Sequence, residues 1–148
     1  MNLLVNLPTR ARPHKALEIL NKYTSKATHP STKFIISCDE DDQTMNNPTV
    51  KEQLLDFKNT EIIFNENKIS LLDSNGNKQK SDFTTKIEAI NSGAKGADFD
   101  ICLLASDDMH PEVDGYDSII VNDMKKYFPD TDGVLWYNDG YQQDKLNT

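Results

Sequence analysis

Short apolar runs alternate along this chain with longer stretches in which apolar residues recur every three or four positions. Asn2 to Leu7, Lys33 to Cys38, Thr60 to Phe64, Ile101 to Ala105 and Gly133 to Tyr137 are of the first kind. They are too short for buried helices and suit strands covered on both faces. Between them, Ala16, Leu20, Tyr23 and Ala27 share helical spacing, with Leu17 and Ile19 widening the face. Pro13 suits the first turn of that helix, and His29-Pro30-Ser31 closes it. A shorter helix starts at Asn47-Pro48 and runs through Val50, Leu54, Leu55 and Phe57. A third carries Ile87, Ala89, Ile90 and Ala94, with Thr84 or Thr85 as its cap and Gly93 and Gly96 marking its end. Tyr116, Ile119, Ile120, Met124 and Tyr127 form a fourth, which ends at Phe128-Pro129. The region from Asn65 to Asp82 has no clear period. Its Asn75-Gly76 pair fits an exposed hairpin or a loose loop.

Strands alternating with helices predict an α/β fold, a mostly parallel sheet with helices on both faces. Right-handed crossovers then bring the loops after the first, second and fourth strands to one edge. That edge gathers Thr9, Arg10, Arg12, Asp39, Asp41, Asp42, Asp107 and Asp108. Ligands of open α/β sheets bind outside the carboxyl ends of the strands. Several carboxylates and two guanidinium groups on such a rim make a candidate nucleotide-diphosphate site. A divalent cation would stand between the phosphate oxygens and the aspartates.

Composition narrows the picture further. The 148 residues are expected to form one domain, 1–148, with no internal repeat or linker. Sixteen Lys and Arg against twenty-four Asp and Glu give a formal charge of −8. With no basic stripe, this argues against nucleic acid or an anionic membrane as partner. Met1 to Leu7 is apolar but short, lacks a basic flank and meets Pro8, so neither a signal peptide nor a transmembrane segment is expected there. Cys38 and Cys102 fall in predicted strands and read as reduced core thiols of a cytoplasmic protein.

Four pieces of the chain, in order, resemble family 2 glycosyltransferases of the GT-A fold. Pro8-Thr9-x-x-Arg12-Pro13 looks like the opening after their first strand, and Asp39 to Thr44 like the acidic loop after their second. Lys86 followed by Asn91-Ser92-Gly93 is similar to the helix before their fourth strand. Ala105-Ser106-Asp107-Asp108 with Pro111 resembles their Asp-x-Asp loop. The likeness spans roughly the first 115 residues. It implies a Rossmann-like nucleotide-diphospho-sugar transferase architecture, with a nucleoside-diphosphate sugar as donor, an unidentified glycosyl acceptor, and Mn²⁺ or Mg²⁺ as cofactor.

Carried over, the resemblance gives Asp39 a hydrogen bond from the base and makes Pro8 and Thr9 the wall around base and ribose, with Arg12 framing the pocket. Asp41, Lys86 and Ser106 join the nucleotide-sugar site. Asp107 would ligate the metal that bridges the diphosphate, with Asp108 its neighbouring ligand or orienting group. The pattern also departs from the family. Ala105 stands where the first Asp of the motif belongs, and the loop after the second strand is about two residues shorter. Compared with that family, the chain is the donor-binding portion, incomplete at its C-terminus, with the acceptor half and the catalytic base expected further downstream. Glu112, Asp114, Asp117, Asp132 and Asp139 are available carboxylates that no motif singles out as base.

Plainer readings stand beside these. Thr9 could cap the first helix, Arg10 and Arg12 could be surface residues, and Lys86 a solvated charge. His110 could ligate or be an ordinary loop histidine. Trp136 and Tyr137 read as core and edge residues of the last strand or as a platform for an acceptor sugar, and Asn138-Asp139-Gly140 as a turn. Two other function classes remain open. One is a noncatalytic nucleotide- or metal-binding module. The other is a phospho-acceptor domain, against which the missing lysine after a fifth strand counts.

Overall fold

Strand β1 (Leu3–Pro8) lies at the centre of a four-stranded, all-parallel sheet, beside β2 (Lys33–Asp39) on one side and β6 (Ile101–Leu104) on the other. The structure is a computed structural model that describes residues 1–66, 69–72, 74–81 and 86–138. Strand β3 (Thr60–Asn65) flanks β2, so the order is β3-β2-β1-β6. The register runs Val5 against Phe34 and against Leu103, and Ile36 against Ile62. This is a Rossmann-like α/β arrangement.

Alternation along the strands sorts side chains onto two faces. Leu3, Val5 and Leu7 of β1 join Phe34, Ile36 and Cys38 of β2 in the main core. Over that face lie α1 (Pro13–Lys26), α2 (Pro48–Leu55) and α4 (Tyr116–Tyr127). Ala16, Ile19, Leu20 and Tyr23 of α1 are buried there with Ile120, Val121 and Met124 of α4. The Tyr23 and Tyr116 rings meet edge to face, 5.4 Å between centroids. Asn47 caps α2, accepting from the N–H groups of Thr49 and Val50, with Pro48 at the first helical position.

The opposite face is polar at its centre and carries α3 (Lys86–Ala94). Asn6 Nδ2 donates to the Ile90 carbonyl at 2.7 Å, and the Ser37 hydroxyl donates to the Ala89 carbonyl at 2.9 Å. Asn65 Nδ2 donates in turn to Ser37 Oγ at 2.8 Å. Close approach of α3 needs Gly93, because a Cβ there would stand 2.3 Å from Asn6 Oδ1. Gly93 therefore packs inside the helix rather than ending it. Gly96, at φ 81°, lies just beyond the helix end.

Two other expectations change, and one left open is decided. Gly133 to Tyr137 forms no strand. Leu135 packs on the core, but Val134 is 87% and Trp136 67% exposed, and the Tyr137 hydroxyl donates to Asp123 Oδ2. A short apolar run reads the same whether or not a neighbouring strand pairs with it, and here none does among the described residues. The buried face of α4 is rotated from the one expected, with Ile119 and Tyr127 exposed and Asp117 and Val121 buried. Between Asn65 and Asp82, β4 (Ile69–Leu72) and β5 (Lys78–Ser81) pair antiparallel around a turn with Gly76 at φ 80°, so the hairpin alternative holds. Thr84, Thr85, Asp139 and Gly140 lie outside the described residues.

Candidate functional site

The strand order reverses at β1. The chain steps from β1 to β2 to β3 in one direction, then returns to place β6 on β1's other flank. At such a switch point the loops part and leave a crevice beyond the strand ends. Here the crevice has a volume of about 380 Å³ and is lined by Pro8, Thr9, Arg10, Arg12, Ser37, Asp39, Ala89, Ser106 and Asp107.

The loop after β1 forms one wall. Thr9 N donates to the Ser37 carbonyl at 3.0 Å, so it extends the strand pairing instead of capping α1. Ala11 then turns through φ 54°, a left-handed conformation costly for alanine. Asp42 stabilises that turn, its Oδ2 accepting from Ala11 N at 2.6 Å while Oδ1 accepts from the Thr44 hydroxyl and backbone. Burial pushes the Asp42 carboxyl up, but hydrogen bonds from Thr44, Ala11 and Met45 outweigh it and hold the group below the usual carboxylate range. Asp42 is thus a brace for the loop.

The kink at Ala11 sends its neighbours to different carboxylates. Arg10 reaches the loop after β2, where Nη1 donates to Asp39 and two nitrogens grip Asp41 at 2.9 and 3.2 Å. Those bonds to Asp41 and Asp39 raise the guanidinium pKa still further. Arg12 turns toward the loop after β6. Its Nη1 contacts both Asp107 oxygens, at 3.1 and 3.4 Å. The Asp107 side chain is only 7% exposed, whereas that of Arg12 is 55% exposed. Ser106 donates to Asp108 Oδ1 at 2.5 Å, and Asp108 itself is exposed.

Comparison with protein-family models, with curated proteins and with solved structures finds no match for this chain.

Of the residues singled out in the sequence, Pro8, Thr9, Arg12, Asp39, Ser106 and Asp107 meet in this crevice. Asp41 stands outside it, on Arg10, and Asp108 lies beside Ser106 rather than in the lining. The Lys86 side chain falls outside the described part of α3. His110 faces Lys22, 3.0 Å away, and not the acidic pair. Among the other carboxylates, Asp114 pairs with Lys26 and Asp117 is fully buried. Sequence reasoning missed Ser37 and Ala89 in the lining and undervalued Arg10. For Ser37 a signal existed: a hydroxyl within the otherwise apolar run Phe34-Ile35-Ile36 demands a partner.

Two features bear on what the crevice can hold. Thr9 is buried, and its hydroxyl has no hydrogen-bond partner among the described residues. A polar atom left so in a crevice wall is suited to a ligand. Among the described residues, no group of three or more His, Cys, Asp or Glu side chains could cage a metal ion. A hard cation such as Mg²⁺ needs fewer, because one or two carboxylates plus substrate phosphates and water complete its shell. Asp107, with Asp108 adjacent, fits that type of site and does not fit a cation held by protein alone.

Proposed function

We propose that this chain carries the donor-binding site of a metal-assisted glycosyltransferase of GT-A architecture, taking a nucleoside-diphosphate sugar and serving an unidentified hydroxyl acceptor. The observation that carries the reading is the convergence of Asp39 and Asp107, from loops far apart in sequence, on one crevice at the switch point of a parallel sheet. In this reading Asp39 accepts a base N–H, while Pro8 and Thr9 shape the wall around base and ribose. Thr9 offers its hydroxyl, and Arg12 and Asp107 face the diphosphate end. A bound Mn²⁺ or Mg²⁺ would supply Lewis acidity and counter-charge to the departing diphosphate. The protein's part is to fix the phosphate end beside Asp107 and the base beside Asp39, so that the anomeric carbon is presented toward the open side of the crevice.

Calorimetry with UDP and with GDP, each with and without Mn²⁺, tests this reading. Metal-enhanced binding of one of them supports it, and its absence for both removes it. The second reading, a noncatalytic nucleotide-binding module, draws on Ala105 in place of the first motif aspartate and on Asp117 being committed to structure. Nucleotide binding without donor hydrolysis or transfer would favour it. Among the described residues no helix is long and apolar enough to cross a membrane. A cytoplasmic setting, where Cys38 and Cys102 stay reduced, belongs to the same proposal.

A further inference from the structure

Both carboxylates assigned to the donor already carry a guanidinium from the same loop, yet the two pairings differ in kind. Arg10 is locked, since it bridges Asp39 and Asp41 and grips Asp41 through two nitrogens. Arg12 is held loosely. One nitrogen straddles the two Asp107 oxygens at 3.1 and 3.4 Å, longer than the roughly 2.7–2.9 Å of a strong charge-assisted bond, and the side chain is 55% exposed. Asp107, by contrast, is almost wholly buried, and Arg12 is its ion-pair partner. A buried carboxylate needs either a cation or several neutral donors, and Asp107, unlike Asp42, accepts from Arg12 alone among the described residues, so here a cation is what offsets the burial.

We propose that Arg12 is a displaceable internal counter-ion. It neutralises Asp107 in the ligand-free protein and moves to the diphosphate on binding, leaving Asp107 to a divalent cation. This rests on the reading of the crevice as a nucleoside-diphosphate site. Three observations support it. With Arg12 in place, an arriving cation meets a carboxylate whose charge is already cancelled and a positive group beside it. No cage of three ligands exists among the described residues to overcome that repulsion, so phosphate oxygens must supply the remainder of the shell. A guanidinium also matches a diphosphate better than it matches one carboxylate approached end-on. Cation and diphosphate therefore bind as a coupled pair, each raising the other's affinity by the same factor. The device keeps the site from filling with free metal between turnovers.

The test is Mn²⁺ binding, read by the loss of the free-ion electron paramagnetic resonance signal, for wild type, Arg12→Ala, Arg12→Gln and Arg12→Ala/Asp107→Asn. Each protein is measured alone and with UDP or GDP. Removing the competitor should strengthen binding of Mn²⁺ alone at least about tenfold, within the usual range of such couplings. The same change should weaken UDP or GDP binding measured without metal. The gain should vanish in the double variant. Opposite shifts for metal and nucleotide are something a merely structural role for Arg12 would not produce. If neither Arg12→Ala nor Arg12→Gln binds Mn²⁺ more tightly than wild type, the counter-ion is overturned, whatever the nucleotides do. If the metal gain appears but no protein binds either nucleotide under any condition, Arg12 still neutralises Asp107, but its move to a diphosphate falls together with the glycosyltransferase reading. Arg12 lies on the surface, and two different substitutions guard against a folding artefact.

Discussion

Asp117→Asn removes a single negative charge from a carboxylate with no solvent exposure, and the fold should register it strongly. Asp117 sits in the first turn of α4, where the helix dipole favours an anion. It ties that helix to the segment between α1 and β2. Oδ1 accepts from the N–H groups of Thr28 and Ser118, both at 2.9 Å, while Oδ2 accepts from His29 N at 2.8 Å and the Thr32 hydroxyl at 2.7 Å. An asparagine fits the space but must turn an NH₂ group toward donors. The better placement sets it at the Oδ2 position, where the Thr32 hydroxyl can rotate to accept but His29 N–H cannot. One charge-assisted bond is lost, and the half-buried His29 N–H is left without a partner. At about 1.5–3 kcal/mol for the first and 1–3 for the second, the cost is about 3 kcal/mol. Asp117→Ala should cost up to about 5 kcal/mol, because it leaves all four donors without their acceptor. For a chain of this size, about 3 kcal/mol lowers Tm by about 10 °C, measured by far-ultraviolet circular dichroism at neutral pH. The pH dependence carries a sign. Burial pushes this carboxyl up, but the bonds from Thr28, Thr32, His29 and Ser118 outweigh it, so the folded pKa lies below the ordinary value. The stabilisation is therefore complete above the unfolded pKa of about 4 and is lost as pH falls through the folded value. The gap between wild type and Asp117→Asn should narrow in acid. A variant melting within about 2 °C of wild type at neutral pH, or a gap that does not shrink in acid, would refute the reasoning.

Other outcomes follow from the same contacts. Gly93→Ala should destabilise the protein by about 1–3 kcal/mol, although alanine is the better helix former by about 1 kcal/mol, because its Cβ would sit 2.3 Å from a buried Asn6 oxygen. Adding Asn6→Ala should relieve part of that loss in chemical denaturation, and strictly additive costs would disprove the clash. Burial, followed by the nearby charges of Asp42 and Asp39, pushes the Cys38 thiol up to about 12. In the folded protein at pH 8, Ellman's reagent should modify half-buried Cys102 before Cys38, and both at once in denaturant. Rapid labelling of Cys38 in the native state would contradict its environment. Asp42, like Asp117, has its pKa held low in the fold, so Asp42→Ala should reduce acid sensitivity while lowering Tm at neutral pH.

The sequence by itself determined the elements of the sheet and the edge on which its chemistry gathers. The apolar runs at Leu3 and Lys33 become central strands buried on both faces, and those at Thr60 and Ile101 become partly buried edge strands, all of them parallel. Once those strands are parallel, their carboxyl ends share one edge, which carries Thr9, Asp39 and Asp107 to a common rim. What the sequence leaves open depends on partners distant in the chain. Gly133 to Tyr137 has the composition of a strand but pairs with no neighbour among the described residues. The polar residues Asn6 and Ser37 look misplaced in their strands until α3 brings the Ala89 and Ile90 carbonyls against them. Asp117 looks like any surface acid until the loop before β2 closes over it. Arg10 and Arg12 are near neighbours of one type, and only the left-handed turn at Ala11 sends one to Asp39 and the other to Asp107. Local periodicity marks where an element lies, whereas the face that α4 buries and the partner of a buried charge are set by where the rest of the chain brings its packing surfaces and donors.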